Sequence, residues 1–123
     1  MRLSRPINRG DIWVVSLAPA SGREQQGYRP AVVLSSDLID VELLGLVMVV
    51  PATTSMRVDG RGRLVRNHLP VLPTPENGLA QTSYFMCEQL KSVSLQRLTK
   101  RLGRLNADQM IGLQEIIELL LDF

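Results

Sequence analysis

The chain is poor in the residues that most often do chemistry: one cysteine, one histidine and one tryptophan in 123 residues, with aromatic side chains at only 4%. A single cysteine, Cys87, excludes an intramolecular disulfide, and no basic-then-apolar leader opens the chain, so a cytoplasmic setting is expected. One histidine and one cysteine are too few for a closed zinc site, and HExxH, CxxC and Asp-rich calcium loops are all absent. No metal and no cofactor is expected. A serine triad fails as well, because no G-x-S-x-G elbow occurs and His68 has no evident partner. Long apolar runs are also missing: the longest candidate, "LLGLVMVVPA" from Leu43, is ten residues long against the roughly 18 or more of a membrane span. No membrane partner is expected.

What is present is one domain's length of chain, 1–123, without repeats, low-complexity tracts or a linker. Its net charge is only +2, but the charge is unevenly distributed. Residues 51–105 carry nine Lys or Arg against three acids, whereas residues 106–123 carry four acids and no base. A basic middle suits an anionic partner such as phosphate groups, although ordinary solvated charge reads the same way.

"DIWVVSL" (11–17) and "PAVVLSS" (30–36) are β-branched runs bounded by glycine and proline and are expected to be strands, joined by a loop over 18–29. "LLGLVMVVPA" is expected as a buried strand stopped by Pro51, which cannot donate to a ladder. "RVDGRGRLVRN" (57–67) has four arginines and two glycines and suits an exposed hairpin arm. After the turn signal Asn77-Gly78, residues 79–93 alternate as one long strand or a bent pair. Ser94 is placed to cap a helical turn at "LQRL", and "RLGRL" suits a last brief strand. Asn106 with Gln109 forms a capping-box pattern, and Met110, Leu113, Ile117 and Leu120 then recur at helical spacing. The sum is a mainly β domain, a small barrel or curved sheet with a C-terminal helix packed against it.

The chemistry left available is that of arginine, threonine and carboxylate. This set suits phosphodiester cleavage by a neighbouring ribose hydroxyl, where RNA supplies its own nucleophile. The protein must then accept the 2′ proton and stabilise a phosphorane, and arginine's planar fork grips two phosphate oxygens while staying charged. His68, beside the Pro-rich "LPVLPTP", reads as a partly exposed turn residue, and Cys87, in an apolar run, reads as core packing.

Four stretches, "RGDIWVV" (9–15), "GREQQGYRPAVVLS" (22–35), "VVPATTS" (49–55) and "CEQLKSVSLQRL" (87–98), stand in an order and spacing that resembles the MazF/PemK family of toxin endoribonucleases from type II toxin-antitoxin pairs. The resemblance runs nearly end to end. It implies an SH3-like barrel of the CcdB/PemK type with a C-terminal helix, a homodimer, a neutralising antitoxin, and sequence-selective, metal-independent cleavage of single-stranded RNA. The expected products are a 2′,3′-cyclic phosphate and a 5′-hydroxyl, and the expected consequence is inhibited translation and growth through mRNA, with rRNA or tRNA as further targets. Arg29 and Thr53 match the family's catalytic positions, Glu24 matches a loop glutamate implicated in some members, and Gln25 follows it. The family's loop reads like GSEQGG before the R-P pair, so Arg23 and Gln26 depart from it and bear on which RNA is cut.

On this reading Arg29 holds the scissile phosphate, Thr53 donates to a non-bridging oxygen and Glu24 is the base, with Arg29 or water protonating the leaving oxygen. Residue chemistry alone also allows a surface salt bridge between Arg29 and Glu24, and a strand-end role for Thr53. For RNA binding the expected residues are Gln25, Tyr28, Thr54, Arg57, Arg61, Arg63, Arg66 and, as a family-level expectation, Gln81; Trp13 is read as core. Two alternatives stand beside the nuclease: a non-catalytic barrel that only binds, and a gyrase poison of the same fold. The gyrase-poisoning relatives rely on a terminal Trp-Gly-Ile, where this sequence reads Leu-Asp-Phe.

Overall fold

The computed structural model describes residues 6–17, 22 and 27–122. Seven strands and two helices follow in the order β1 (Asp11–Ser16), β2 (Tyr28–Val33), α1 (Val41–Leu44), β3 (Leu46–Thr53), β4 (His68–Val71), β5 (Ser83–Met86), β6 (Lys91–Ser94), β7 (Leu98–Arg104) and α2 (Ala107–Leu121). All pairings are antiparallel, in the sheet order β4-β5-β3-β2-β1-β7, with β6 also on β3. The expected mainly β architecture with a C-terminal helix is therefore what the chain forms.

β3 is the organising strand. On one edge it pairs with β2; on the other its first half pairs with β6 and its last two residues with β5. The sheet carries a core on each face, as the two-residue period requires. Val32, Val50, Ala52 and Phe85 face α2, whose Leu113 is fully buried among them, while Trp13, Ala31, Val33, Val47 and Val49 build the second cluster. Trp13 is thus a core residue, as expected.

Pro51 does not stop β3, contrary to the sequence expectation, and the hydrogen-bond phase explains why. Leu34 N–H donates to Met48 O at 2.8 Å, so alternate pairs from there, Val32 with Val50 and Pro30 with Ala52, fall at hydrogen-bonding positions between β2 and β3. The nitrogen of Pro51 therefore faces the other edge, in the gap between the last β6 pair, Val49 with Lys91, and the first β5 pair, Ala52 with Phe85. A missing N–H costs nothing there. Pro30 has the opposite effect. It has no N–H to offer Ala52, and the β2–β3 ladder ends one residue earlier, at Ala31 with Pro51.

Leu43 and Leu44 lie in α1 and not in a strand. Asp40 Oδ1 accepts the Leu43 N–H at 3.1 Å and Gly45 closes the turn in the left-handed region at φ 77°, a start and stop signal that outweighs the β-branched run beyond it. The 79–93 stretch is the bent pair: a 3-10 turn at Cys87–Gln89 separates β5 from β6. The "LQRL" turn forms over Leu95–Arg97, but Ser94 makes no side-chain capping bond, and β7 begins earlier than "RLGRL" suggested, at Leu98. The capping box of α2 is complete: Asn106 Oδ1 accepts Gln109 N–H at 2.8 Å and Gln109 Oε1 accepts Asn106 N–H at 3.0 Å. Its packed stripe runs through buried Leu113 and partly buried Met110, Ile116 and Ile117; Leu120 is exposed.

The β4–β5 connection crosses β7 at a backbone-to-backbone contact. Arg104 N–H donates to Glu76 O at 3.0 Å, and a Cβ on Gly103 would stand 2.2 Å from that same Glu76 oxygen. Buried Asn77 holds the connection in shape, its Oδ1 accepting from Thr74 and Leu79 N–H while its Nδ2–H2 donates to Leu72 O. Gly103→Ala is expected to lower stability by about 3 kcal/mol, the upper end of overpacking, because backbone and not a flexible side chain blocks the methyl. A denaturant titration measures it.

Candidate functional site

Arg29 and Thr53 enter from neighbouring strands. The β2–β3 register pairs residues whose numbers share one sum, as Val33 with Val49 and Ala31 with Pro51 do; extended two residues beyond its last pair, the same register puts Arg29 at the level of Thr53. Both occupy odd positions, so both project to the face of Ala31 and Val49. The β2–β3 ladder itself ends at Ala31 with Pro51, one residue before Pro30 and Ala52. Arg29 is half-buried and is paired across β1 with Val15.

Thr53 Oγ1 accepts the Ser55 N–H at 3.1 Å. A hydroxyl that accepts one hydrogen bond keeps its own proton to donate, so Thr53 retains an O–H donor. It opens onto a cleft of about 290 Å³. Thr53, His68 and Met86 contribute from the sheet, Ser55, Arg57, Val65 and Asn67 from the arm, and Glu88 and Gln89 from the 3-10 turn.

The arm is an ordered hairpin. Asp59 Oδ1 accepts the N–H groups of Arg61 (2.8 Å) and Arg63 (3.1 Å), Val58 bridges to Leu64, and Gly62 takes the turn at φ 78°. Arg57, Arg61, Arg63 and Arg66 are all exposed, with Arg63 Nε 3.9 Å from Asp59 Oδ2. Replacing Arg61 and Arg63 by serine is expected to reduce the salt dependence of RNA binding, lowering the slope of log affinity against log salt by about 1.4, or about 0.7 per lost phosphate contact on a single strand. A salt titration with RNA blocked at the 2′ position reads that slope.

The remaining expected residues are placed as follows. Glu24 and Gln25 lie outside the described residues. Tyr28 is 74% exposed, but its even position turns it to the opposite face from Arg29. Thr54 is exposed just past β3 and does not line the cleft. Gln81 is exposed on the β4–β5 connection, its carbonyl accepting from Ser83 Oγ, and it too stands apart from the cleft.

His68 is not the partly exposed turn residue its proline-rich surroundings suggested. It opens β4, is 6% exposed, and its Nε2 lies 3.1 Å from Glu88 Oε2. Asn67 Nδ2–H donates to the other oxygen of Glu88 at 2.6 Å. The sequence reading missed both residues and Glu88; the one signal available was that Glu88 is a charged residue inside the apolar run 84–90. Cys87 is core, as expected: burial, with the neighbouring Glu88 adding to it, pushes its thiol up to about 12, the opposite of what a nucleophile needs.

Comparison with known proteins shows the family and the fold. Residues 8–121 match the pattern of the PemK-like, MazF-like toxins of type II toxin-antitoxin systems. The chain is 32% identical over 120 residues to endoribonuclease MazF9 of Mycobacterium tuberculosis, covering 94% of this chain and 97% of that protein. Among solved structures, the M. tuberculosis toxin MazF-mt6 superposes with a TM-score of 0.70 at 27% identity, over 92% of this chain and 97% of that one. A mycobacterial endoribonuclease solved with its cognate antitoxin shares the fold at a TM-score of 0.71 and 17% identity, over 94% of this chain and 95% of that one.

Proposed function

The chain belongs to the PemK-like, MazF-like toxins of type II toxin-antitoxin systems, and from that premise we propose that it is an endoribonuclease that cuts single-stranded RNA without a metal. The observation that supports the reading is that Arg29 and Thr53 share one face at the ends of neighbouring strands, with Thr53 lining a cleft that Arg57 of the arm also lines. The ribose 2′-oxygen attacks the adjacent phosphorus, the bond from phosphorus to the 5′-oxygen breaks, and the products are a 2′,3′-cyclic phosphate and a 5′-hydroxyl. Arg29 offsets the charge that gathers on the phosphorane, and the O–H of Thr53 donates to a non-bridging oxygen. Glu24 takes the 2′ proton, as an ionised carboxylate can at neutral pH. A guanidinium with a pKa above about 12 is a poor acid, so water protonates the departing oxygen.

Two partners follow from the same premise. An antitoxin is expected because a free nuclease of this kind would stop its own cell, and the mycobacterial relative is solved with one. A second copy of the chain is expected on apolar grounds. Leu46 and Met48 continue the face of β3 that α2 covers at Val50 and Ala52, yet each is 43% exposed, with Leu43 and Leu44 bare beside them on α1. Among the described residues no helix is long and apolar enough to cross a membrane, and the site of action proposed is the cytoplasm, where the RNA is.

The test is digestion of a mixed-sequence RNA in the presence of EDTA, followed by mapping of both ends. The expected result is 5′-hydroxyl and 2′,3′-cyclic phosphate ends at a recurring short sequence. Intact RNA would leave the binding-only barrel as the reading, and cleavage that EDTA abolishes would replace the proposed chemistry.

A further inference from the structure

Beside Thr53, the cleft is lined by a polar cluster, Asn67, His68 and Glu88, with an unusual feature. Both oxygens of Glu88 are held, Oε1 by Asn67 Nδ2 at 2.6 Å and Oε2 by His68 Nε2 at 3.1 Å. The His68 side chain is 5% exposed against 36% for that of Glu88, so the ring is walled in while the carboxylate reaches the cleft. A carboxylate only accepts, which places a proton on Nε2. The other ring nitrogen, Nδ1, is buried and has no hydrogen-bond partner among the described residues.

That last atom bears on why a histidine stands here. Phenylalanine would fill similar space beside Met86 without burying an unpaired nitrogen, so packing alone does not favour histidine. What histidine adds is the single donor at Nε2, carried on a ring that its burial holds still. Asn67 supplies the second donor from the adjoining residue. A free glutamate side chain samples many rotamers; with both oxygens gripped it presents one.

We propose that His68 and Asn67 are positioning residues, and that their clamp aims Glu88 at RNA lying across Thr53, where the carboxylate accepts a hydrogen bond from the substrate. This rests on the nuclease reading above. Arg57 lines the same cleft and supplies the charge that lets an anion and an RNA strand share it.

The experiment compares wild type, His68→Phe, His68→Gln and Asn67→Ala on a defined RNA, with steady-state kinetics, binding of the same RNA blocked at the 2′ position, and Tm. Loss of aim is expected to lower kcat about tenfold in His68→Phe while KM and blocked-RNA binding stay within about threefold and Tm is unchanged or higher. His68→Gln, which restores a donor, is expected to recover most of kcat, and Asn67→Ala to lower it in the same sense. Wild-type kcat in His68→Phe overturns the clamp, as does a kcat loss that follows a falling Tm and that glutamine does not rescue. If wild type itself leaves the RNA intact, the nuclease reading fails and the clamp with it; if wild type cuts and His68→Phe cuts equally well, only the clamp fails.

Discussion

Arg29→Ala is expected to lower kcat/KM for RNA cleavage by about a hundredfold or more, the scale on which enzymes lose rate when one preorganised charge or donor at the transition state is removed. The physical basis is that the phosphorane carries one more negative charge than the diester it forms from, and a guanidinium with two parallel N–H groups meets that charge on two oxygens at once. Arg29→Lys is expected to fall between wild type and alanine, because an ammonium retains the charge and not the fork. Folding should be little affected, since Arg29 stands near the start of β2, beyond the last β2–β3 pair. The measurement is single-turnover cleavage with a Tm alongside. Undiminished cleavage by the alanine variant would remove Arg29 from the mechanism and, with it, the reason for reading this face as the site.

Thr53→Val is expected to produce a loss of about a hundredfold in kcat with KM little changed, because it removes one donor to the transition state and leaves the shape and β-branching of the side chain intact. The structure supplies an internal control. In wild type the Thr53 oxygen accepts the Ser55 N–H; in valine that N–H turns to water, since Ser55 is exposed, so stability should change by no more than about 1 kcal/mol. Thr53→Ser keeps both the acceptor and the hydroxyl proton and should retain most of the activity. A valine variant with wild-type kcat would assign Thr53 to the strand end alone, which is what residue chemistry without the family pattern allowed.

The local features of this chain were legible because they depend on neighbours in sequence. The capping box at Asn106 and Gln109 needs a spacing of three residues and nothing else, and it forms as the sequence indicates. The arm from 57 to 67 declared itself through glycine and arginine, and Asp59 organises it from within. Where the reading went astray, two local signals competed. Asp40 and Gly45 cap a single helical turn that the valines following it concealed, and Pro51 looked like a stop because a proline's effect on a strand depends on which edge its nitrogen faces. That edge is set by the partner strands, and the partners come from residues 31 and 85–91.

By itself, then, the sequence determined the β class and the terminal helix, since period and caps are written within a few residues of one another, and its R-P and T-T pairs singled out Arg29 and Thr53 as candidates through the family resemblance. Only the tertiary structure decided that Arg29 and Thr53 stand on the same face of neighbouring strands β2 and β3, that Tyr28 and Gln81 stand elsewhere, and that His68 meets Glu88 across 20 positions of chain. The physical reason is register. A shift of one residue between two strands changes no composition and no local propensity, yet it turns every side chain to the other face, and what holds the register is burial on both faces of the sheet.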